Sequence, residues 1–289
     1  MSRQRSILLV VASLFAVGLV VVGVFLAVRT GPGTADAGGP AAAAPEMEHI
    51  HGIGVDPGDG AVYAGTHYGL FRIAEGAATR VSEVQDYMGF TVAGPGHFLA
   101  SGHPGEGQDG PSSVGLIEST DGGETWETLS LSGEADFHAL EFRHDRVYGL
   151  NSMTGQLLTS ADKQSWEELS QAEVADFAVS PEDPEVLVAT TQEGLAWSAD
   201  GGATFEIVES APVMVFVSWA DDGALAGVSP DGVVYTAQEP DGEWTEGASL
   251  GGQPEALTIA SGAQIYAATG GAVLASVDGG ATFTPLLDQ

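Results

Sequence analysis

The sequence predicts an all-β fold, a six-bladed β-propeller, and three observations carry that reading. First, the turn motif Ser119-Thr120-Asp121-Gly122-Gly123-Glu124-Thr125-Trp126 returns at 198–205 and 276–283, with worn copies at Ser160-Ala161-Asp162 and Asp241-Gly242-Glu243-Trp244. Second, the aspartates at 121, 162, 200, 241 and 278 recur every 41, 38, 41 and 37 residues, the length of a four-stranded blade. Third, short apolar runs between Gly, Asp and Pro read as strands, and no helical periodicity follows residue 46.

Taken in order, residues 7–28 hold no charge and are almost wholly apolar. As a helix rising 1.5 Å per residue, that run crosses a hydrocarbon core of roughly 30 Å. Residues 1–29 are therefore expected to be an N-terminal signal anchor. Arg3 and Arg5 against Arg29 orient its N-terminus to the cytoplasm and the propeller to the outside. The alternative is secretion after cleavage near Ala37, in Ala35-Asp36-Ala37. Residues 30–46 read as a flexible Ala/Gly/Pro linker, and 47–289 as the propeller.

The period divides that domain into blades at 47–83, 84–134, 135–173, 174–211, 212–250 and 251–289. First strands are expected at 49–55, 88–93, 138–143, 176–180, 213–219 and 255–260. Second strands follow at 61–66, 98–101, 147–150, 186–190, 224–228 and 265–268. In the motif, Asp-Gly-Gly suits a tight two-residue hairpin whose central residues need positive φ. Blade one has Glu75-Gly76-Ala77 in its place. Blade six holds its own last strand, so the ring is expected to close by packing of blade one on blade six. The aromatics Trp126, Trp166, Phe205, Trp244 and Phe283 are expected in the core, and Trp219 at a loop edge.

Cysteine is absent, which removes disulfides and thiolate metal sites. Past residue 29, five basic residues (Arg72, Arg80, Arg143, Arg146, Lys163) face 40 acidic ones. Such a surface repels phosphate backbones and excludes nucleic acid as a partner, while favouring cations or basic partners.

The Ser-x-Asp-x-Gly-x-Thr-Trp/Phe repeats resemble the Asp-box, or BNR, repeats of sialidase-like β-propellers. Longer stretches resemble bacterial Asp-box proteins commonly labelled glycosyl hydrolases or exo-α-sialidases. They include His49-Ile50-His51-Gly52, Gly65-Thr66-His67-Tyr68-Gly69, Met88-Gly89-Phe90, Ser101-Gly102-His103-Pro104 and Ala135-Asp136-Phe137-His138. The resemblance implies sialidase chemistry, which holds a substrate carboxylate with three arginines. Asp-box propellers also include scaffolds such as photosystem assembly factors and sortilin-type receptors, so the fold leaves function open. A sialidase clamp needs planar guanidinium forks, and the domain's arginines are too dispersed to supply it.

Blade geometry sorts the histidines. The start of a first strand and the end of a second lie on one face, opposite the Asp boxes. His49, His51 and His138 start first strands; His67 and His103 end second strands. Met88 takes the place of His51 in blade two, and Glu255 about that place in blade six. His97 and His144 fall on the other face. Imidazoles are the commonest metal ligands, and a thioether beside them suits copper. The expected role is therefore binding rather than catalysis. The predicted ligand is copper or zinc, held by His51, His67, His103, His138 and Met88 with His49. A glycan or protein partner is the other expectation for this face. The long loop 104–113 brings Glu106 and Asp109 as a lid or as outer carboxylates. The alternatives are a glycoside hydrolase using carboxylates such as Asp136 and Glu255, and an assembly scaffold whose histidines line a channel without metal.

Overall fold

A computed structural model describes residues 47–287, with 106 and 172 excepted. The expected anchor at 7–28, the linker at 30–46, the cleavage near Ala37 and Glu106 lie outside the described residues. Six four-stranded antiparallel sheets form the propeller. Blade one holds β1–β4 (Ile50–Val55, Val62–Thr66, Gly69–Ala74, Ala77–Arg80). Blade two holds β5–β8 (Asp86–Gly94, His97–His103, Leu116–Ser119, Glu127–Ser130). Blade three holds β9–β12 (Phe137–Arg143, Arg146–Asn151, Gln156–Ser160, Glu167–Ser170). Blade four holds β13–β16 (Val174–Val179, Leu187–Thr191, Gly194–Ser198, Glu206–Ile207). Blade five holds β17–β20 (Phe216–Trp219, Leu225–Val228, Val233–Ala237, Thr245–Ser249). Blade six holds β21–β24 (Pro254–Ser261, Gln264–Thr269, Ala272–Ser276, Thr284–Pro285).

Every sheet contains four consecutive strands, so no strand is shared between the ends of the domain. The ring closes by packing: Ile50, Ile53 and Val62 of blade one share a core cluster with Ala256, Ala268 and Val273 of blade six. Five further clusters fill the other blade interfaces in the same way. Each fully buried Leu or Phe there contributes about 1.5–3 kcal/mol. Inner strands approach closely enough that a Cβ on Gly89 would stand 2.4 Å from the Phe137 carbonyl oxygen.

The Asp-box turns are longer than a two-residue hairpin. Seven residues separate β7 from β8, because side chains and not only backbone close the loop. Ser119 Oγ accepts the Gly123 N–H (2.9 Å) and donates to Asp121 Oδ1 (2.8 Å), which accepts the Thr125 N–H (2.9 Å). Ser198/Asp200/Thr204 and Ser276/Asp278/Thr282 repeat the set. These bonds hold the Asp121 and Asp200 carboxyls down at about 2. The motif aromatics Trp126, Trp166, Phe205, Trp244 and Phe283 pack half-buried on five different inter-blade clusters. Trp219 departs from its expected loop-edge place. It is the buried last residue of β17, and its Nε1–H donates to the Gly223 carbonyl (3.0 Å), which satisfies the indole inside the core.

One irregularity recurs. At the opposite end from the Asp boxes, the first strand of five blades carries a bulge against its neighbour. The extra residues are His51, Met88, His138, Ala175 and Glu255. A bulge inserts one residue against the partner strand and re-aims its side chain. The equivalence of His51, Met88 and Glu255 expected from the period is therefore a matter of strand register.

Candidate metal centre

The front face, opposite the Asp boxes, gathers imidazoles from blades one to three. His67 follows β2 directly. Its Nδ1 lies 2.7 Å from Asp86 Oδ1, at the start of β5, and its Nε2 lies 3.3 Å from His51 Nε2. A ring that donates Nδ1–H to a carboxylate presents a bare Nε2 in its neutral form. Burial, reinforced by the charge of His67, pushes His51 down to about 4, so His51 is neutral at pH 7. His51 Nε2–H then donates to the bare His67 Nε2, and the other tautomer of His51 would turn two lone pairs toward one cation. Ligands about 2.0–2.1 Å from one zinc at a tetrahedral angle stand about 3.3–3.4 Å apart, which is the separation seen.

Ligand atoms of His51, His67 and Asp86 all lie within 4.8 Å of one another. Asp86 behind His67 matches the arrangement in which a carboxylate orients a metal-binding imidazole and raises its basicity. His49 stands next to this group, its ring 5.2 Å from that of His67. It does so from a left-handed backbone with φ 52°, a conformation costing a non-glycine residue of order 1–3 kcal/mol and concentrated at functional sites.

His103 and His138 belong to a second group, built around Asp136. His138 Nε2 donates to Asp136 Oδ2 (2.9 Å), and Ser152 Oγ donates to the same oxygen (3.1 Å). His103 Nδ1 donates to the Ser112 carbonyl (2.7 Å), leaving its Nε2 3.7 Å from Asp136 Oδ2. Asp136 is 6% exposed, and its Oδ1 is buried without a hydrogen-bond partner. Burial opposes its ionisation, but the bonds and charges of His138 and His103 outweigh that and hold its pKa below the usual value.

The histidines singled out by blade geometry therefore fall into two groups. His51 and His67 meet, with His49 beside them; His103 and His138 gather at Asp136. Met88 occupies the half-buried bulge of the blade between. Glu255 Oε2 accepts the Gly271 N–H (3.0 Å) and ties blade six to its own turn. Asp109 is exposed on the loop after β6. His97 and His144 lie at the opposite end, bonded to Glu118 and to the Ser180 carbonyl. Asp86 is the residue that sequence reasoning missed. Its signal was its place at the start of β5, opposite His103 in register, on the face that the histidines already marked.

First strands of all six blades line an axial channel of about 810 Å³, with His51 and His138 at its front mouth. Its far end is crossed by Arg143 of blade three. That guanidinium bonds Glu141 (2.8 Å), Asp221 (2.8 Å) and the Trp219 carbonyl (2.9 Å) of blade five. On the wall, burial pushes Asp176 up to about 7 although it accepts the Val217 N–H (2.9 Å).

The family model described as BNR/Asp-box repeat matches residues 117–128. The chain is a six-bladed β-propeller that carries an Asp-box repeat at those residues. No curated protein matches the chain. Solved structures share the Asp-box propeller's fold at low identity. A gluconolactonase from Xanthomonas campestris aligns at 12% identity and TM-score 0.63, over 79% of this chain and 86% of that one. YCF48 bound to D1 peptide aligns at 18% and 0.51, over 84% and 83%. The GH74 xyloglucanase from Xanthomonas campestris aligns at 16% and 0.56; 83% of this chain is covered, but only 45% of the enzyme. Among the described residues the sialidase arginine clamp is not assembled. Arg72 bonds Asp59, Arg143 spans the channel, Arg146 bonds Thr159, and Arg80 lies in the outer strand β4.

Proposed function

We propose that this propeller binds a transition-metal ion, zinc or copper, at His51 Nε2 and His67 Nε2. Asp86 orients His67, and the His49 ring stands 5.2 Å from that of His67. The observation that carries the proposal is the 3.3 Å approach of two imidazole nitrogens backed by a carboxylate. The same reading puts the propeller outside the cytoplasm on its N-terminal anchor. A gluconolactonase, a xyloglucanase and a peptide-bound protein stand among the fold's neighbours, so the architecture is compatible with catalysis or binding. A glycosidase with two free carboxylates is less well served, since Asp86 and Asp136 engage histidines and Glu255 engages a backbone amide.

The test is calorimetric titration of the full chain, without an added histidine tag and stripped by chelator. One zinc per chain is expected. The His51→Ala/His67→Ala pair should abolish it, and His97→Ala on the far face should not. Absent binding, or binding indifferent to the double substitution, refutes the site. Protease treatment of intact cells should remove the propeller; a protected propeller would refute the external location.

A further inference from the structure

We propose that the front mouth of the channel hydrolyses an uncharged carboxylic ester, with His138 as general base and Asp136 as its positioning residue. The proposal rests on the metal reading above and adds a reaction to it.

Four observations converge. His51 and His138 are the bulge residues of β1 and β9, so the same backbone device aims both at the mouth of one channel. His103 Nε2 stands 3.7 Å from the same Asp136 Oδ2 that His138 engages. His138 is fixed through Nε2 by a buried carboxylate, which leaves Nδ1 free on a ring whose side chain is 41% exposed. An imidazole oriented by a carboxylate and open to water is the arrangement of a general base. The buried, unpartnered Oδ1 of Asp136 is costly for stability alone and fits a group retained for what it does to its imidazole.

Substrate charge and size follow from the walls. The lining guanidinium, Arg143, is fully engaged at the far end, so no free fork receives a carboxylate or phosphate. The chain is strongly acidic, which repels anions further. A channel of about 810 Å³ crossed at one end has the volume of a small-molecule pocket.

In the reaction, His138 Nδ1 takes a proton from a water as the water oxygen attacks the acyl carbon; a cation held by His51 and His67 would polarise that water. The ester C–O bond breaks, and His138 returns the proton to the departing alkoxide. Ester and water become acid and alcohol, with no redox change. Carboxylates at the mouth act through imidazoles, which favours this route over one needing two bare carboxylates.

The experiment uses the zinc-loaded full chain with 4-nitrophenyl acetate. Turnover above the zinc-only control is expected. His138→Gln should lower kcat by about 10²–10⁴-fold while one zinc per chain still binds by calorimetry. Asp136→Asn should lower kcat with KM little changed and shift the acid limb of the pH–rate profile, which a purely structural loss would not do. Zinc binding without turnover overturns the hydrolysis and leaves the metal site standing; no zinc binding overturns both. Wild-type kcat in His138→Gln, or preference for a 4-nitrophenyl glucoside over the ester, also overturns it.

Discussion

The two faces of this propeller solve the same problem in opposite ways. Each must terminate strands and satisfy the backbone left over. On the Asp-box face, Ser119, Asp121 and Thr125 do so with short-range bonds, and blades four and six repeat them. On the front face, first strands end in bulges, His49 sits in a left-handed backbone and Asp136 Oδ1 has no partner. The imidazoles of His51 and His67 also bring their Nε2 atoms within 3.3 Å of one another, with His51 held neutral chiefly by burial. The Asp-box turns meet their own backbone needs, whereas the front face holds a buried carboxylate oxygen without a hydrogen-bond partner. Real proteins break local rules mainly where function requires it; here the bulges of five blades open on one face, while left-handed His144, Asp145 and Lys163 stand on the other.

That contrast can be broken by substitution. The largest effect is expected on the regular face, at Gly123, whose φ is +89° and whose added Cβ would stand 2.4 Å from Leu70 Cδ2. Gly123→Ala should cost about 2–4 kcal/mol through backbone strain and overpacking, measured by urea unfolding, with zinc stoichiometry unchanged. On the irregular face, Asp86→Asn should weaken zinc binding about 10–100-fold and leave the urea midpoint near wild type. If stability fell and affinity did not, Asp86 would be structural and the contrast void. Ser119→Ala, which strips an acceptor from the buried Gly123 N–H, should cost about 1–3 kcal/mol without touching zinc affinity.

A further effect is one of pH, at the channel wall between the faces. Asp176 is raised to about 7 when folded, against about 3.9 unfolded. The folded chain therefore holds the extra proton between those values. Stability from this group is full below about pH 4 and is lost as pH rises through 7. Asp176→Asn keeps an oxygen for the Val217 N–H and should flatten that decline in unfolding free energy measured from pH 4 to 8. An unchanged profile would show that the carboxyl is not protonated in the channel. The Asp boxes have the reverse sign. Asp121, held at about 2, contributes stability above its unfolded pKa that disappears only as pH falls through 2.

Much of this was legible in the sequence because it repeats. The spacing of the five Asp positions set the blade length and so a count of six blades, and the three full copies carry the same side-chain bonds. The faces followed from antiparallel order, and so did the position of every histidine. The two-residue hairpin was misjudged because Ser119 Oγ and Asp121 close a wider loop than backbone propensity suggests. Trp219 was misplaced because its neighbours Ala220-Asp221-Asp222-Gly223 read as a loop, yet its indole finds a partner within the core. The split of five histidines into two groups was not legible. It depends on Asp86 and Asp136, single carboxylates among 40 acidic residues, and on which imidazole nitrogen each one engages. Arg143 crossing from blade three to blade five is likewise a contact across 78 residues of sequence, with no periodic signal.

The central claim is that the irregular face is organised around an absent cation between His51 and His67. Anomalous diffraction at the zinc edge, from crystals of the full chain grown with zinc, tests it most directly. The account predicts one strong peak within about 2.0–2.1 Å of both Nε2 atoms, with Asp86 still on His67 Nδ1. A map with no peak there, or with its zinc on scattered surface carboxylates while the two imidazoles keep their mutual hydrogen bond, would contradict it.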